Sequence, residues 1–152
     1  MRAREIMVDA LRVAPELPVR DLVSLLLREQ VDGACVLDHG RLVGVVTTMD
    51  LVFQEKQVHL PSALAFMDFV IPLEPPERLR HELDKIAAST VRHMMSGHPL
   101  WVEADTPMAE VASLMVDRHV SVVPVMEQGE LIGMITKPAL LRAAFPGRSG
   151  PA

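Results

Sequence analysis

The sequence predicts an α+β fold: two β-α-β-β-α repeats packed against each other with pseudo-two-fold symmetry. Three observations predict it. The chain repeats itself, since Leu42-Val43-Gly44-Val45-Val46-Thr47-Thr48-Met49-Asp50-Leu51 returns as Leu131-Ile132-Gly133-Met134-Ile135-Thr136-Lys137-Pro138-Ala139-Leu140. Each copy joins short apolar runs, read as strands, to a stretch with apolar residues at helical spacing. Each copy is also too small to bury its apolar face alone, so the two need each other.

The elements follow in order. A short helical turn carries Ile6-Met7 in the first copy and Met94-Met95 in the second. Short strands come next, around 11–13 and 100–102. Pro18 and Pro107 then sit where proline suits the first turn of a helix. The helices run over 19–31 and 108–120, with Leu22 and Leu26, and Val111, Leu114 and Met115, on their apolar faces. Two strands follow in each copy, 34–37 with 42–46 and 122–126 with 131–135. The turns between them hold Gly40 and Gly129. A last helix covers 49–57 or 138–144. From Val13 to Val52 the copies align without a gap, and one residue is inserted near His98-Pro99.

The domain plan is therefore repeat 1 over 1–57, an insertion over 58–89, repeat 2 over 90–146 and a flexible tail over 147–152. The insertion holds Pro61, Pro72, Pro75 and Pro76, so no single helix crosses it. Residues 64–71 are too apolar for a solvated linker, and 76–88 is read as an amphipathic helix with Leu79, Leu83 and Ile86 on one face. Two readings stay open for this excursion: it packs on its own protomer, or it meets a second subunit.

Composition excludes several function classes. The chain has 152 residues and is 49% hydrophobic, which implies a real core and not disorder. Net charge is −5, from 20 acidic and 15 basic residues, so a nucleic-acid partner is not expected. Four Phe, one Trp and no Tyr leave few platforms for stacked bases. No run approaches a membrane span, and the charged start Met1-Arg2-Ala3-Arg4-Glu5 leads into no apolar stretch, so a signal peptide is not expected. One cysteine, Cys35, excludes an internal disulfide and fits a cytoplasmic, reducing compartment.

The chemistry is concentrated where a strand meets a helix. A strand that ends at Thr47 and runs at once into a helix start puts a hydroxyl, free backbone N–H groups and the Asp50 carboxylate at one spot. That arrangement fits a nucleotide. Thr47-x-x-Asp50 equally satisfies a capping box, with hydroxyl and carboxylate each accepting a backbone N–H. Repeat 2 keeps Thr136 but has Ala139 in place of Asp50, so this helix start tolerates loss of the acid. The six histidines form no His-x-x-x-His pair and no cluster with Cys35, so no metal site is expected. Cys35 lies in an apolar strand and reads as a buried, inert thiol. Ser24 and Ser113 read as packing hydroxyls. No nucleophile–base pair, Walker loop or dinucleotide fingerprint occurs.

Two motifs together resemble a tandem pair of CBS domains, the cystathionine-β-synthase-type repeats. They are Gly44-Val45-Val46-Thr47-Thr48-Met49-Asp50, and Arg118-His119-Val120-Ser121-Val122-Val123-Pro124-Val125 ahead of the second hairpin. The resemblance covers about 4–55 and 90–145. It implies a pseudo-symmetric pair that often forms a homodimer and binds AMP, ADP, ATP or S-adenosylmethionine as a ligand, with no obligatory cofactor. It also implies roles: Thr47 faces ribose or phosphate, Asp50 takes the ribose hydroxyls, Ser121 and Val122 line the base, Thr136 serves repeat 2, and Lys137 is placed to neutralise a phosphate. Against the family pattern, Ala139 offers no ribose acceptor, Cys35 replaces a proline, and Arg12 and Trp101 stand where a threonine is common.

The sequence thus points to a non-catalytic, regulatory sensor module for an adenosine-containing ligand, of the energy-sensing kind. Its output would pass to another copy or to a separate effector protein. The alternative is a structural or protein-interaction module without nucleotide, in which Thr47 and Asp50 only cap a helix. A small enzyme using the same cleft lacks any catalytic pair.

Overall fold

The computed structural model describes residues 1–48, 50, 63–66, 69–72 and 88–147. The elements of the first half are α1 (Ala3–Ile6), β1 (Arg12–Val13), α2 (Val19–Glu29), β2 (Gly33–Asp38) and β3 (Arg41–Thr47). Those of the second half are α3 (Val91–Met94), β6 (Val102–Glu103), α4 (Met108–Asp117), β7 (Val122–Glu127), β8 (Glu130–Thr136) and α5 (Lys137–Ala144). Between them β4 (Ala63–Phe66) pairs antiparallel with β5 (Phe69–Pro72). Among the described residues the predicted strands of both repeats and their helices are present, save the last helix of repeat 1, and each half builds a three-stranded sheet. The orders are β1-β2-β3 and β6-β7-β8, with the first pair parallel and the second antiparallel.

Local chemistry accounts for the element ends. Pro18 and Pro107 are the N-caps of α2 and α4, in extended conformation, one position ahead of the first turn the sequence suggested. α2 and α4 stop short of Val31 and Val120. Gln30 and His119 turn left-handed there, with φ of 55° and 53°, and a left-handed residue terminates a helix. His39-Gly40 and Gln128-Gly129 both have positive φ, the conformation of a two-residue hairpin turn whose twist matches its strands.

β2, β3, β7 and β8 are apolar along most of their length because both their faces are covered. Ala34, Val36 and Val46 face a core with Val19, Leu22 and Leu26 of α2. Val123, Val125 and Ile135 face the matching core with Val111 and Met115 of α4. The intervening residues Cys35, Val45, Val122 and Met134 meet each other and Ala10 in a third layer between the halves. Alternation along a strand sends neighbouring side chains to opposite faces, so here it builds one core per half and a shared seam. Cys35 is fully buried in that seam, and desolvation pushes its thiol pKa up to about 12. A thiol held in that state is unreactive.

The short first helices are exchanged between the halves. α1 precedes β1 in the chain but seats Ala3 and Ile6 in the second half's core. α3 seats Val91 and Met94 in the first half's core. Backbone bonds fix both crossings: Ala3 N–H donates to Thr106 O at 2.8 Å, and Val91 N–H donates to Leu17 O at 2.9 Å. After each helix the chain lies against a strand. Val8 and Met134 exchange two backbone bonds, of 2.8 and 3.0 Å, and Ser96 and Val45 exchange two of 2.9 and 3.3 Å. Matching ion pairs flank the crossings, Arg4 with Glu127 and Asp105 and Arg92 with Glu16 and Asp38. All are at the surface, where solvent screens such pairs and they contribute little.

Several predicted features lie outside the described residues. They are the helix face of Leu79, Leu83 and Ile86, the tail beyond Gly147, and the last helix of repeat 1 apart from Thr48 and Asp50, which are helical. In the apolar stretch of the insertion the backbone forms β4 and β5.

Candidate functional site

The exchange of α3 carries Ser96, His98, Pro99 and Leu100 to the end of β3, and so builds one wall of a cleft of about 960 Å³. The floor of this cleft holds Thr47 and Asp50 from the first repeat and Ser121 and Val122 from the second, with Lys137 at its edge. Five of the six residues singled out in the sequence therefore share one site. Thr136 lies in a second cleft of about 800 Å³, the pseudo-symmetric counterpart, which also contains Lys137. Lys137, Asp32 and Leu141 border both clefts.

Asp50 is held by Thr47. The Thr47 N–H donates to Asp50 Oδ2 at 2.8 Å, and the Thr47 hydroxyl donates to the same oxygen at 3.3 Å. The carboxylate half of the capping box is thus formed. In repeat 2 the other half appears instead, because Thr136 Oγ1 accepts the N–H of Ala139 at 3.3 Å. Burial raises the Asp50 pKa and outweighs the two Thr47 contacts, which lower it. Such a carboxylate sits recessed in the cleft and still has acceptor capacity, since a carboxylate takes more than two donors. One layer further in, Thr48 N–H donates to Asp32 O at 2.9 Å and ties the end of β3 to the turn before β2.

The glycine of the motif has its own reason. A Cβ on Gly44 would stand 2.6 Å from Ser96 O and 2.7 Å from Met95 Sδ, and one on Gly133 would stand 2.6 Å from Met7 Sδ. The crossing segment lies too close for any side chain there.

Sequence reasoning missed Asp32, His98, His119 and Met115 as cleft residues. Two signals pointed that way: His119 lies inside the motif that leads to Ser121, and His98 lies next to the one-residue insertion near His98-Pro99. Arg12 and Trp101 line neither cleft. The Arg12 guanidinium donates to Ala10 O at 3.2 Å and to Leu131 O at 3.1 Å, bracing the two halves. Trp101 is half exposed. Among the described residues no group of three His, Cys, Asp or Glu side chains is placed to hold a metal ion. No described helix is long and apolar enough to cross a membrane.

The model of the CBS domain matches residues 3–55 and 91–145, more than half of the chain. The chain belongs to the CBS-domain family. A CBS domain-containing protein of Dictyostelium discoideum is 31% identical over 103 residues, 67% of this chain and 61% of that protein. An uncharacterized protein of Methanocaldococcus jannaschii is 27% identical over 94% of this chain and 90% of its own length. Among solved structures, the CBS-pair protein CBSX2 of Arabidopsis thaliana, in complex with AMP, is 26% identical with a TM-score of 0.68, covering 94% of this chain and 95% of that one. The CBS-domain pair of protein MJ0100, in complex with 5′-methylthioadenosine and S-adenosyl-L-methionine, has a TM-score of 0.69 at 17% identity, covering 95% of each chain. The tandem CBS architecture inferred from the two motifs is therefore the architecture of this chain.

Proposed function

We propose that this CBS pair is a non-catalytic regulatory module that binds an adenosine-containing ligand, AMP, ADP, ATP or S-adenosylmethionine, in the Thr47–Asp50 cleft. The observation that carries the proposal is the meeting of Thr47 and Asp50 with Ser121 and Val122 in one space, although they come from different repeats. A ribose diol finds a recessed carboxylate in Asp50, which makes a charge-assisted contact. An adenine ring finds apolar surface at Val122 and backbone polar groups at Ser121. The complex of CBSX2 with AMP supports the choice of ligand class. In the second cleft Thr136 supplies the hydroxyl, but Ala139 stands where Asp50 does in the first, so its strand–helix junction has no ribose acceptor and we read it as the weaker site. We place the protein in the cytoplasm, with output through a homodimer or a separate effector. Val116, Leu141 and Phe145 are large apolar residues exposed on α4 and α5 or at its end, and a second copy would cover such surface.

A second possibility is an interaction module without nucleotide. The clamp of Asp50 on Thr47 favours it, because a capping role alone accounts for that contact. Thermal-shift measurements against adenosine ligands separate the two. A ligand at 100 times its Kd stabilises by about 2.7 kcal/mol, whereas an unchanged melting point with every adenosine compound leaves only the interaction module.

A further inference from the structure

We propose that Met95 and Met7 are oxidation sites, and that a peroxide acting on either thioether unfastens the wall of the cleft beside it. The two methionines hold matching places in the fold. Met7 closes α1 and Met95 closes α3, each as an extended C-cap. Each thioether fills the room left by a motif glycine on a strand of the other repeat. A Cβ on Gly44 would stand 2.7 Å from Met95 Sδ, and one on Gly133 would stand 2.6 Å from Met7 Sδ. Both methionines pack on a core yet are partly exposed, which leaves a small oxidant a way in. The residue that follows each one clamps a strand. Ser96 exchanges two backbone bonds with Val45, and Val8 exchanges two with Met134. Beyond the clamps run the cleft walls, with His98, Pro99 and Leu100 at the first cleft and Asp9, Ala10 and Leu11 at the second.

The chemistry needs only a peroxide. The sulfur lone pair attacks one oxygen of hydrogen peroxide, so that an S–O bond forms and the O–O bond breaks. The transferred oxygen passes its proton to the departing hydroxide, which leaves as water. The sulfur loses two electrons and the peroxide gains them. A flexible apolar side chain becomes a polar, chiral sulfoxide. The seat on glycine does not suit that product. The Ser96 carbonyl oxygen stands 2.6 Å from the same Cβ point on Gly44, and the Val8 carbonyl oxygen stands 2.9 Å from the one on Gly133. Each new oxygen is therefore an acceptor brought up to an acceptor. A polar group without a donor is costly to keep in an apolar contact. The sulfoxide gains by turning out to water, and the clamp beside it loses the packing that holds it down. Cys35, Met94 and Met134 are buried and are shielded from the same reagent. The effect is independent of the ligand that the clefts take.

The test treats the full chain with graded hydrogen peroxide, maps its peptides by mass and follows amide hydrogen exchange by NMR. Met1, which is 61% exposed, sets the rate of an open methionine. Met95 and Met7 should each gain one oxygen after Met1 and before the buried Met94 and Met134. Oxidation of Met95 should speed exchange at the Val45 and Ser96 amides at least about tenfold, which is about 1.4 kcal/mol of local stability. Oxidation of Met7 should do the same at Val8 and Met134, and each methionine is judged on its own pair of amides. Met95→Leu, which keeps an apolar end without sulfur, should hold Val45 and Ser96 slow in peroxide. Reduction of the oxidised wild type by methionine sulfoxide reductase should return them to slow exchange, and this arm decides where Met95→Leu does not fold. Met95 left unoxidised when Met1 is fully converted overturns the proposal. So does full oxidation of Met95 with unchanged exchange, exchange that speeds equally in Met95→Leu, or exchange that stays fast once the sulfur has been reduced.

Discussion

Asp50 carries two loads, and substitution separates them. Its carboxylate receives both Thr47 contacts, and it is the acceptor proposed for the ribose diol. Removing a cap of this kind costs on the order of 1 kcal/mol. Removing a charge-assisted acceptor costs roughly 1.5–3 kcal/mol of binding, about 10- to 150-fold in Kd. Asp50→Ala should therefore lower the melting point slightly and weaken ligand binding strongly. Calorimetry that finds wild-type affinity in a folded Asp50→Ala protein would leave Asp50 as a cap alone. Protonation gives a second check. Burial raises this carboxyl above its ordinary 3.8, so the folded chain holds the proton more tightly than the unfolded chain. Asp50 then favours folding most below that value, and less as pH rises through its folded pKa. Measured against Asp50→Asn, the wild type should lose relative stability across that rise and stay level above it. A gap that stays constant, or moves the other way, would contradict the burial.

Among the elements, the strand–helix junctions respond differently to change because each repeat kept a different half of the cap. Thr136→Ala removes the bond to the Ala139 N–H and should cost about 0.5–2 kcal/mol of stability, with little change in the Thr47 cleft. Denaturant melts and ligand titration of that variant read the two effects separately. Gly44 is under a stricter limit, since its missing Cβ makes room for the Ser96 carbonyl. Gly44→Ala should destabilise by about 1–3 kcal/mol, the usual range for overpacking. Shortening Met95 alongside it should restore little, because a backbone oxygen cannot withdraw as a side-chain end does. The hairpins were legible from sequence because a glycine in a two-residue turn has one common use. The true helix ends were not, because Gln30 and His119 adopt a conformation usually given to glycine or asparagine. The pairing of β4 with β5 was hidden in an apolar run that lacks the alternation of a half-covered strand.

For the whole molecule, the repeat and its two motifs made the architecture readable, while the exchange of α1 and α3 was not. Sequence order assigns Ile6 to the first repeat, and nothing in its local pattern says that it packs beside Val111 and Ile135. The membership of the clefts was partly hidden for the same reason, since His98 comes to line the same cleft as Asp50 through that exchange. The exchange makes the halves interdependent. A fragment of residues 1–57 lacks Val91 and Met94, which complete its core, so its circular dichroism should be that of an unfolded chain. A folded, cooperative melt from that fragment would contradict the exchange. Light scattering of the full chain at micromolar concentration should give about twice the 16.8 kDa of one copy, the mass of the proposed homodimer. The same crossing decides how the molecule yields to tension. A pull applied at Met1 arrives first at α1, and α1 is anchored in the far half through Thr106 and Ala104. Peeling the leading end of the chain therefore opens its trailing half first.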